Sequence, residues 1–367
     1  SCQFDAGLCC RMAPFRRFAF LLLLWTGWAF GCAICAPDDA QKTLVRQLAA
    51  ADRIVLLPSA REATPVQAPV AVRGAPPTGE LAISPGPNPL APLRAGDLQL
   101  LVMNPGESRW TLLGHLPPTR VTWLHRLVGM VPFVVGSEPD LVRARFFARD
   151  LEDAYPLVAQ AAYEEVAVQP YAVLRSLAPE VDARQLARWV QDSARTARWP
   201  LYYLLLGLTG NAADAVTLER RIQERRAVCS ASELSAMLAA LVALREAAGL
   251  AWLEQHFLAS RSTPDAEVQA ALLALSVHGS DGSAVSKEQV VAGYGRFIAR
   301  NPQRAGFVAS DLASWGRWEF SEAFGAALRS GEAQVFASRY AMVFYLLRNP
   351  RPQARALVET LRAEKLM

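Results

Sequence analysis

The residue types best suited to redox chemistry are Cys32 and Cys35, whose Cys-x-x-Cys spacing is that of thiol–disulfide redox pairs. No alternation of strand and helix patterns surrounds them, and they directly follow an apolar segment. The sequence therefore favours a coincidence of spacing over redox catalysis. A disulfide between the two cysteines and lipidation of Cys32 are the alternatives. Cys229 is the only cysteine farther along the chain, so no disulfide framework is expected.

The four histidines do not have the spacing of zinc ligands, because none lies three or four residues from another histidine or cysteine. They are His115, His125, His256 and His278. We expect His256 on an exposed helix face. His278 is expected at a helix C-terminus, where a positive imidazole is favourable. No phosphate-binding or calcium-binding loop motif is present, so we expect neither a metal ion nor a cofactor.

Two acidic clusters could supply paired carboxylates for acid–base catalysis, namely Glu164-Glu165 and Asp150-x-Glu152-Asp153. Adjacent residues on a helix point about 100° apart, so Glu164 and Glu165 do not face each other. Both clusters are therefore predicted to lie on solvated helix faces.

Aromatic and arginine side chains come together at Trp315, Arg317 and Trp318, with Phe320 next to them. Tryptophan and arginine are enriched at interaction hot spots, so these three residues are a candidate interaction surface. The alternative is ordinary packing at a junction between helices.

The elements that must position these residues fall into two regions. Residues 37–118 contain 13 of the 24 prolines, which excludes long helices. Short apolar runs separated by turn residues predict five strands there, preceded by one helix near residues 42–51. We expect a small antiparallel barrel or sandwich.

From Thr119 onward, apolar residues recur with helical spacing, as in Leu234, Met237, Leu241 and Leu244. Capping pairs are predicted at Ser230 with Glu233 and at Ser286 with Gln289. Helix ends are expected at three glycines, which are Gly249, Gly279 and Gly316.

The predicted helices come in pairs. The last apolar residues of the first helices recur at intervals of 36, 33, 38 and 32 residues, which is the range of two-helix solenoid repeats. These residues are Leu208, Leu244, Val277, Trp315 and Leu347. An irregular helical bundle is the alternative. The predicted fold is α+β and mostly α, with a small Pro-rich β module (residues 34–118) followed by a HEAT-like helical array (residues 119–367).

Residues 1–33 are expected to comprise upstream residues and a signal peptide. Arg16 and Arg17 precede the uncharged segment Phe18–Phe30, which is shorter than a membrane-spanning helix needs. Cleavage is expected after Ala33 or Ala36, and an uncleaved anchor or a lipoprotein is the alternative. The remainder of the chain is then extracytoplasmic, either periplasmic or secreted.

The charge balance is close to neutral. The formal net charge is +4, and without residues 1–31 the chain holds 35 basic and 33 acidic side chains. Nucleic acid is therefore not an expected partner. A membrane is expected to be contacted only through the signal segment or a lipid anchor.

Most of the helical region resembles uncharacterised secreted bacterial proteins with HEAT-like repeats. The resemblance covers roughly residues 94–365 and implies a helical-repeat fold but no biochemical activity. It depends on the segments 146–153, 161–167, 170–171 and 203–210. A shorter stretch, Cys32–Pro37 followed by residues 50–56, resembles netrin-like and metalloprotease-inhibitor-like barrel modules, but with a different cysteine spacing.

The pattern as a whole favours a non-enzymatic scaffold that binds a protein or peptide, because stacked helix pairs present extended surfaces. The alternative is an enzyme of the hydrolase type with its site between the β module and the helices. A structural role in the cell envelope is a third possibility.

Overall fold

The computed structural model describes residues 34–35, 43–58, 69–77, 79, 81–86, 92–130, 141–281, 284–331 and 335–367. The predicted signal peptide, its cleavage sites and Cys32 lie outside these residues. The described residues form an α+β fold that is mostly α-helical.

The strands of the Pro-rich region form a single mixed sheet. The strands are β1 (Arg53–Pro58), β2 (Val70–Arg73), β3 (Ile83–Pro85), β4 (Leu98–Met103) and β5 (Trp110–Leu116), in the order β2-β1-β4-β5-β3. Strand β3 pairs parallel with β5, and the other pairings are antiparallel. The short apolar runs and the turn residues between them therefore predicted these strands. Strand β3 lies slightly later in the chain than the run that predicted it.

The expectation of an antiparallel barrel or sandwich was wrong. Strands β2 and β3 are the two edges of an open sheet, and the described strands belong to that one sheet. Side chains on one sheet face, such as Ile54 and Leu100, join a core that also contains helical residues. The opposite face holds a small cluster of Val55, Leu101 and Trp110. Helices, rather than a second sheet, therefore cover the main apolar face.

Fifteen α-helices lie in the described part of the chain. They are α1 (Leu44–Ala50), α2 (Val121–Gly129), α3 (Leu141–Ala148), α4 (Pro156–Ala167), α5 (Tyr171–Leu177), α6 (Ala183–Trp189), α7 (Trp199–Thr209), α8 (Ala212–Arg225), α9 (Ala231–Leu253), α10 (Asp265–Asp281), α11 (Lys287–Arg300), α12 (Ala309–Ser314), α13 (Ser321–Arg329), α14 (Phe336–Arg348) and α15 (Pro352–Ala363). A π-helical turn, Glu254–Leu258, extends α9, and a 3₁₀ segment, Pro302–Val308, precedes α12.

Close packing joins successive helices in the centre of the molecule. Helix α9 packs against both α7 and α10. A Cβ atom on Gly207 of α7 would lie 2.5 Å from the Cα of Ala240 of α9, so only glycine permits this approach. Leu234, Met237 and Leu241 of α9 are buried as predicted, and Leu244 is half-buried.

The stretch Ala231–Leu258 is the one described helical stretch long and apolar enough to cross a membrane by length and composition. About 61% of its apolar window is buried inside the protein, because the helices on either side cover it. Its hydrophobicity is therefore that of a central core helix.

The predicted helix ends are correct in part. Ser286 and Gln289 form the expected reciprocal capping box. Ser230 accepts a hydrogen bond from the Glu233 amide at 3.1 Å, but the Glu233 carboxylate binds Arg225 instead of completing the box. Gly316 follows α12 with φ +68°, a conformation that favours glycine.

Gly249 and Gly279 do not end helices, which corrects the prediction. Helix α9 is interrupted earlier, at Glu246 (φ 52°), and Gly249 lies beyond the interruption. Helix α10 continues past Gly279, whose missing side chain leaves room for the Trp315 ring. Close packing against Trp315 explains Gly279, whereas a Cβ atom on Gly249 would lie 2.8 Å from the Leu241 carbonyl oxygen of α9 itself.

Candidate interaction surface

The predicted cluster of Trp315, Arg317 and Trp318 lies at a junction of helices. The Trp315 ring stacks on Tyr294 of α11 with centroids 5.7 Å apart, and the Trp318 ring lies 5.1 Å from Tyr345 of α14. Arg317 Nε donates to Glu319 at 2.8 Å. The two tryptophans thus contact different helices and are half-buried, as in ordinary packing between helices.

The described residues include two cysteines, Cys35 and Cys229. Cys35 is buried, and Cys32, with which it would pair in the alternative of a disulfide, lies outside the described residues. Burial raises the pKa of the Cys229 thiol, and the nearby Glu233 carboxylate raises it further. A raised pKa keeps Cys229 protonated and weakly nucleophilic.

Glu164 and Glu165 are buried, so the prediction of a solvated helix face was wrong for this pair. Glu164 accepts hydrogen bonds from the Leu44 amide at 3.4 Å and from Gln160 at 3.0 Å, and Glu165 lies 3.4 Å from Arg143. Burial raises the pKa of both carboxyls. Helix α1 covers this face of α4, and a contact between residues 120 positions apart is not visible in local spacing.

The second acidic cluster was also wrongly assigned to a helix face. Asp150, Glu152 and Asp153 lie in the turns after α3, where they bind arginines from other segments. Glu152 alone contacts Arg195 at 2.8 Å and Arg198 at 3.1 Å, and it accepts a hydrogen bond from Tyr202. These carboxylates connect the turns after α3 to other segments of the fold.

His256 and His278 have different environments. His256 is exposed as predicted, with its ring stacked on Trp252 at 4.3 Å. His278 is fully buried and its Nε2 donates to the Ala239 carbonyl at 2.9 Å. Burial lowers the pKa of His278 to about 4, so the ring is neutral at pH 7. It does lie in the last turn of α10, but the predicted charge interaction with the helix end is wrong.

The residues described by the structure include no group of three or more His, Cys, Asp and Glu side chains that could hold a metal ion.

A surface that the sequence analysis missed lies on α14. Phe336, Tyr340 and Phe344 follow one another at intervals of four residues and are 81%, 63% and 48% exposed. Successive ring centroids are 6.4 Å and 6.3 Å apart, with the ring planes within about 21° of parallel. Leu347, which is 50% exposed, continues the row toward the end of the helix. We call these four residues the aromatic stripe.

The opposite side of α14 fixes the stripe in place. Ser338, Met342, Tyr345 and Leu346 are buried there. The Ser338 hydroxyl accepts a hydrogen bond from the Gly306 amide at 3.0 Å, and the Tyr345 hydroxyl donates to the Arg317 carbonyl at 2.6 Å. Helix α14 thus has one apolar face in the core and a second in solvent.

Two depressions adjoin the stripe. The first, of about 230 Å³, is mostly apolar and lies between the first half of α14 and the last residues of the chain; Phe336, Arg339, Tyr340, Val343, Lys365, Leu366 and Met367 line it. We call it the apolar groove.

The second depression, of about 400 Å³, lies between the end of α14 and α15. Its charged lining consists of Arg348, Arg355, Arg362 and Glu359. Within the described ranges, none of these three arginines has a carboxylate within ion-pair distance. The Arg348 guanidinium lies 5.7 Å from the centroid of the Phe344 ring, which links this arginine cleft to the stripe.

No protein family, curated protein or solved structure matches the chain.

Proposed function

We propose that the protein is a non-enzymatic scaffold that binds a protein or peptide partner through the aromatic stripe. The observation that carries the proposal is the row of Phe336, Tyr340 and Phe344 in solvent, on a helix whose other face is held in the core. Contiguous exposed apolar side chains of this size mark interaction sites in folded proteins.

The energetics of interfaces support this reading. Aromatic residues are enriched in the buried centre of interfaces, because their large surfaces are removed from water with few rotatable bonds to fix. The rigid side of α14 has the same advantage, since a surface held by Ser338 and Tyr345 needs little ordering when a partner binds.

The arrangement of the helices supports a scaffold. We infer that α7, α9, α10, the segment 302–314 and α14 are the first helices of successive HEAT-like pairs. Support comes from their recurrence at the predicted intervals and from the packing of α7 on α9, α9 on α10, and α14 on the segment 302–314. In such an array each pair contacts its neighbours, so outer faces are available to partners.

The extracytoplasmic location belongs to the same proposal. Its support is the basic pair Arg16-Arg17 followed by the short apolar segment Phe18–Phe30. The carboxylates at the contact between α1 and α4 give the hydrolase alternative no support. Glu164 accepts a hydrogen bond from the Leu44 amide, and Glu165 faces Arg143.

Affinity capture from the periplasmic or secreted fraction tests the proposal. The stripe variant Phe336→Ser/Tyr340→Ser/Phe344→Ser should lose a partner that the wild type captures, by a factor of at least about ten, because hot-spot aromatics contribute 2 kcal/mol or more each. The matched control is Val216→Ser/Val228→Ser, which changes exposed apolar side chains far along the chain from α14.

Circular dichroism establishes that both variants retain the helical content of the wild type. A partner that the stripe variant retains would contradict the stripe as the binding surface. A partner found only in the cytoplasmic fraction would contradict the proposed location.

A further inference from the structure

We propose that the partner of the aromatic stripe is an acidic amphipathic segment, whose apolar side chains cover the stripe and whose carboxylates enter the arginine cleft. This inference rests on the proposed function and adds the chemistry of the partner.

The first observation is the unbalanced charge of the cleft. Three arginines line it against one acidic residue, Glu359, and none of the three lies within ion-pair distance of a carboxylate in the described residues. Arg355 and Arg362 are seven residues apart on α15, which places them on one helix face about 10 Å apart. Guanidinium groups bind carboxylates through two parallel hydrogen bonds, so a row of them selects an acidic ligand.

The second observation is continuity. Leu347 belongs to the stripe and also lines the cleft, and Arg348 contacts the last aromatic ring of the stripe. The apolar and basic parts therefore follow each other along the 13 residues of α14, which extend about 20 Å. A ligand that spans both parts has its apolar residues opposite Phe336–Phe344 and its acidic residues at the end that meets Arg348.

The third observation is shape, which favours a peptide over a lipid bilayer. A depression adjoins each end of the stripe, with volumes of about 230 Å³ and 400 Å³. A depression can accept a protruding side chain of a peptide, whereas the surface of a bilayer contacts the side chains that project from the protein. The side chains of Arg348, Arg355 and Arg362 line the depression between α14 and α15.

A second copy of this chain would present the same basic face to the arginine cleft, and not an acidic one. The acidic residues of α15 and its C-terminal cap are Glu359, already in the cleft, and Glu364, which pairs with Arg329 at 2.9 Å. Two copies meeting through α14 and α15 would bring like charges together, which disfavours a symmetric dimer.

The experiment selects from a random peptide library, displayed on phage, against the full-length protein, with the stripe variant used to remove peptides that bind elsewhere. A length of about 14 residues matches the extent of α14. We expect enrichment of Asp and Glu at one end and of Leu or aromatic residues elsewhere. Binding of the selected peptides should weaken with added salt.

The cleft variant Arg355→Gln/Arg362→Gln should bind the selected peptides at least tenfold more weakly than the wild type, measured by fluorescence anisotropy. The control Arg184→Gln/Arg220→Gln removes the same charge from exposed positions on α6 and α8 and should bind within about twofold of the wild type.

Selected peptides without acidic enrichment, or equal losses in the cleft and control variants, would overturn the inference. It would also be overturned by arginine-dependent binding to phosphatidylglycerol vesicles that exceeds peptide binding, or by a stripe-dependent dimer in light scattering. A lack of acidic enrichment, or equal losses in the two arginine variants, leaves the proposed function intact if the stripe variant still loses the captured partner. Failure of this inference is therefore distinguishable from failure of the proposed function.

Discussion

Burial of individual ionisable side chains gives this protein a testable response to pH. The pKa of His278 is lowered to about 4 by burial, against an ordinary value of 6.5. Between these two pH values the unfolded chain binds a proton at this position and the folded chain does not. The free energy of unfolding therefore falls as the pH falls through this window, by about 3 kcal/mol when the window is crossed completely.

Urea unfolding at several pH values between about 7 and 4 measures this effect. The variant His278→Gln should lose that part of the pH slope, while keeping a donor for the Ala239 carbonyl. The control His256→Gln changes an exposed ring and should keep the wild-type slope. The raised pKa values of Glu164 and Glu165 make the free energy of unfolding rise as the pH falls, which is the opposite effect. Both carboxyls are present in variant and wild type, so the difference between the two slopes isolates His278. Equal slopes for wild type and His278→Gln would refute the assignment.

Residue environments were the least predictable level from sequence. Local spacing indicated that Glu164 and Glu165 lie on a helix, and this is correct, but not that α1 covers them. The stripe on α14 was visible as aromatic residues at positions 336, 340 and 344. It was missed because Met342, Tyr345 and Leu346 fill the other side, and a helix that is apolar all round is typical of a buried one.

At the level of elements, helix spacing in the centre of the molecule depends on glycine. Gly207→Ala would place a Cβ atom 2.5 Å from the Ala240 backbone, which forces α7 and α9 apart. We expect a loss of about 1–3 kcal/mol in the free energy of unfolding, measured by urea denaturation. The control is Gly129→Ala, at a helical position with no atom within 4 Å of the added Cβ. It should be neutral or stabilising by up to about 1 kcal/mol, and a neutral Gly207→Ala would contradict the close packing.

The elements themselves could largely be predicted from sequence, since strands follow from short apolar runs between prolines and helices from capping and periodicity. The Ser286–Gln289 capping box shows this, because both partners lie within one turn. Sheet closure could not be predicted. Whether a sheet closes on itself or is covered by helices depends on α2 and α4, which come later in the chain and pack against β2 and β5.

For the whole molecule, the open question is whether the sheet and the helices unfold together. The main apolar cluster of the described residues extends from Ile34 to Leu361 and includes Leu100 of β4 together with helical side chains. A chain of this length can still divide into separately unfolding domains, and the boundary predicted at residue 118 would make the sheet region one such domain. The shared core favours one cooperative unit instead.

Far-UV circular dichroism during thermal unfolding decides between the two, because the helices dominate this signal. Leu100→Ala removes a fully buried side chain from the sheet face that meets the helices, and should destabilise its unfolding unit by about 2–5 kcal/mol. If the unit is shared, the midpoint of the helical signal falls in this variant. Val70→Ala, at an exposed position on the edge strand β2, should leave the midpoint nearly unchanged. A helical midpoint that Leu100→Ala does not move would show that the sheet unfolds on its own, and would support the boundary at residue 118.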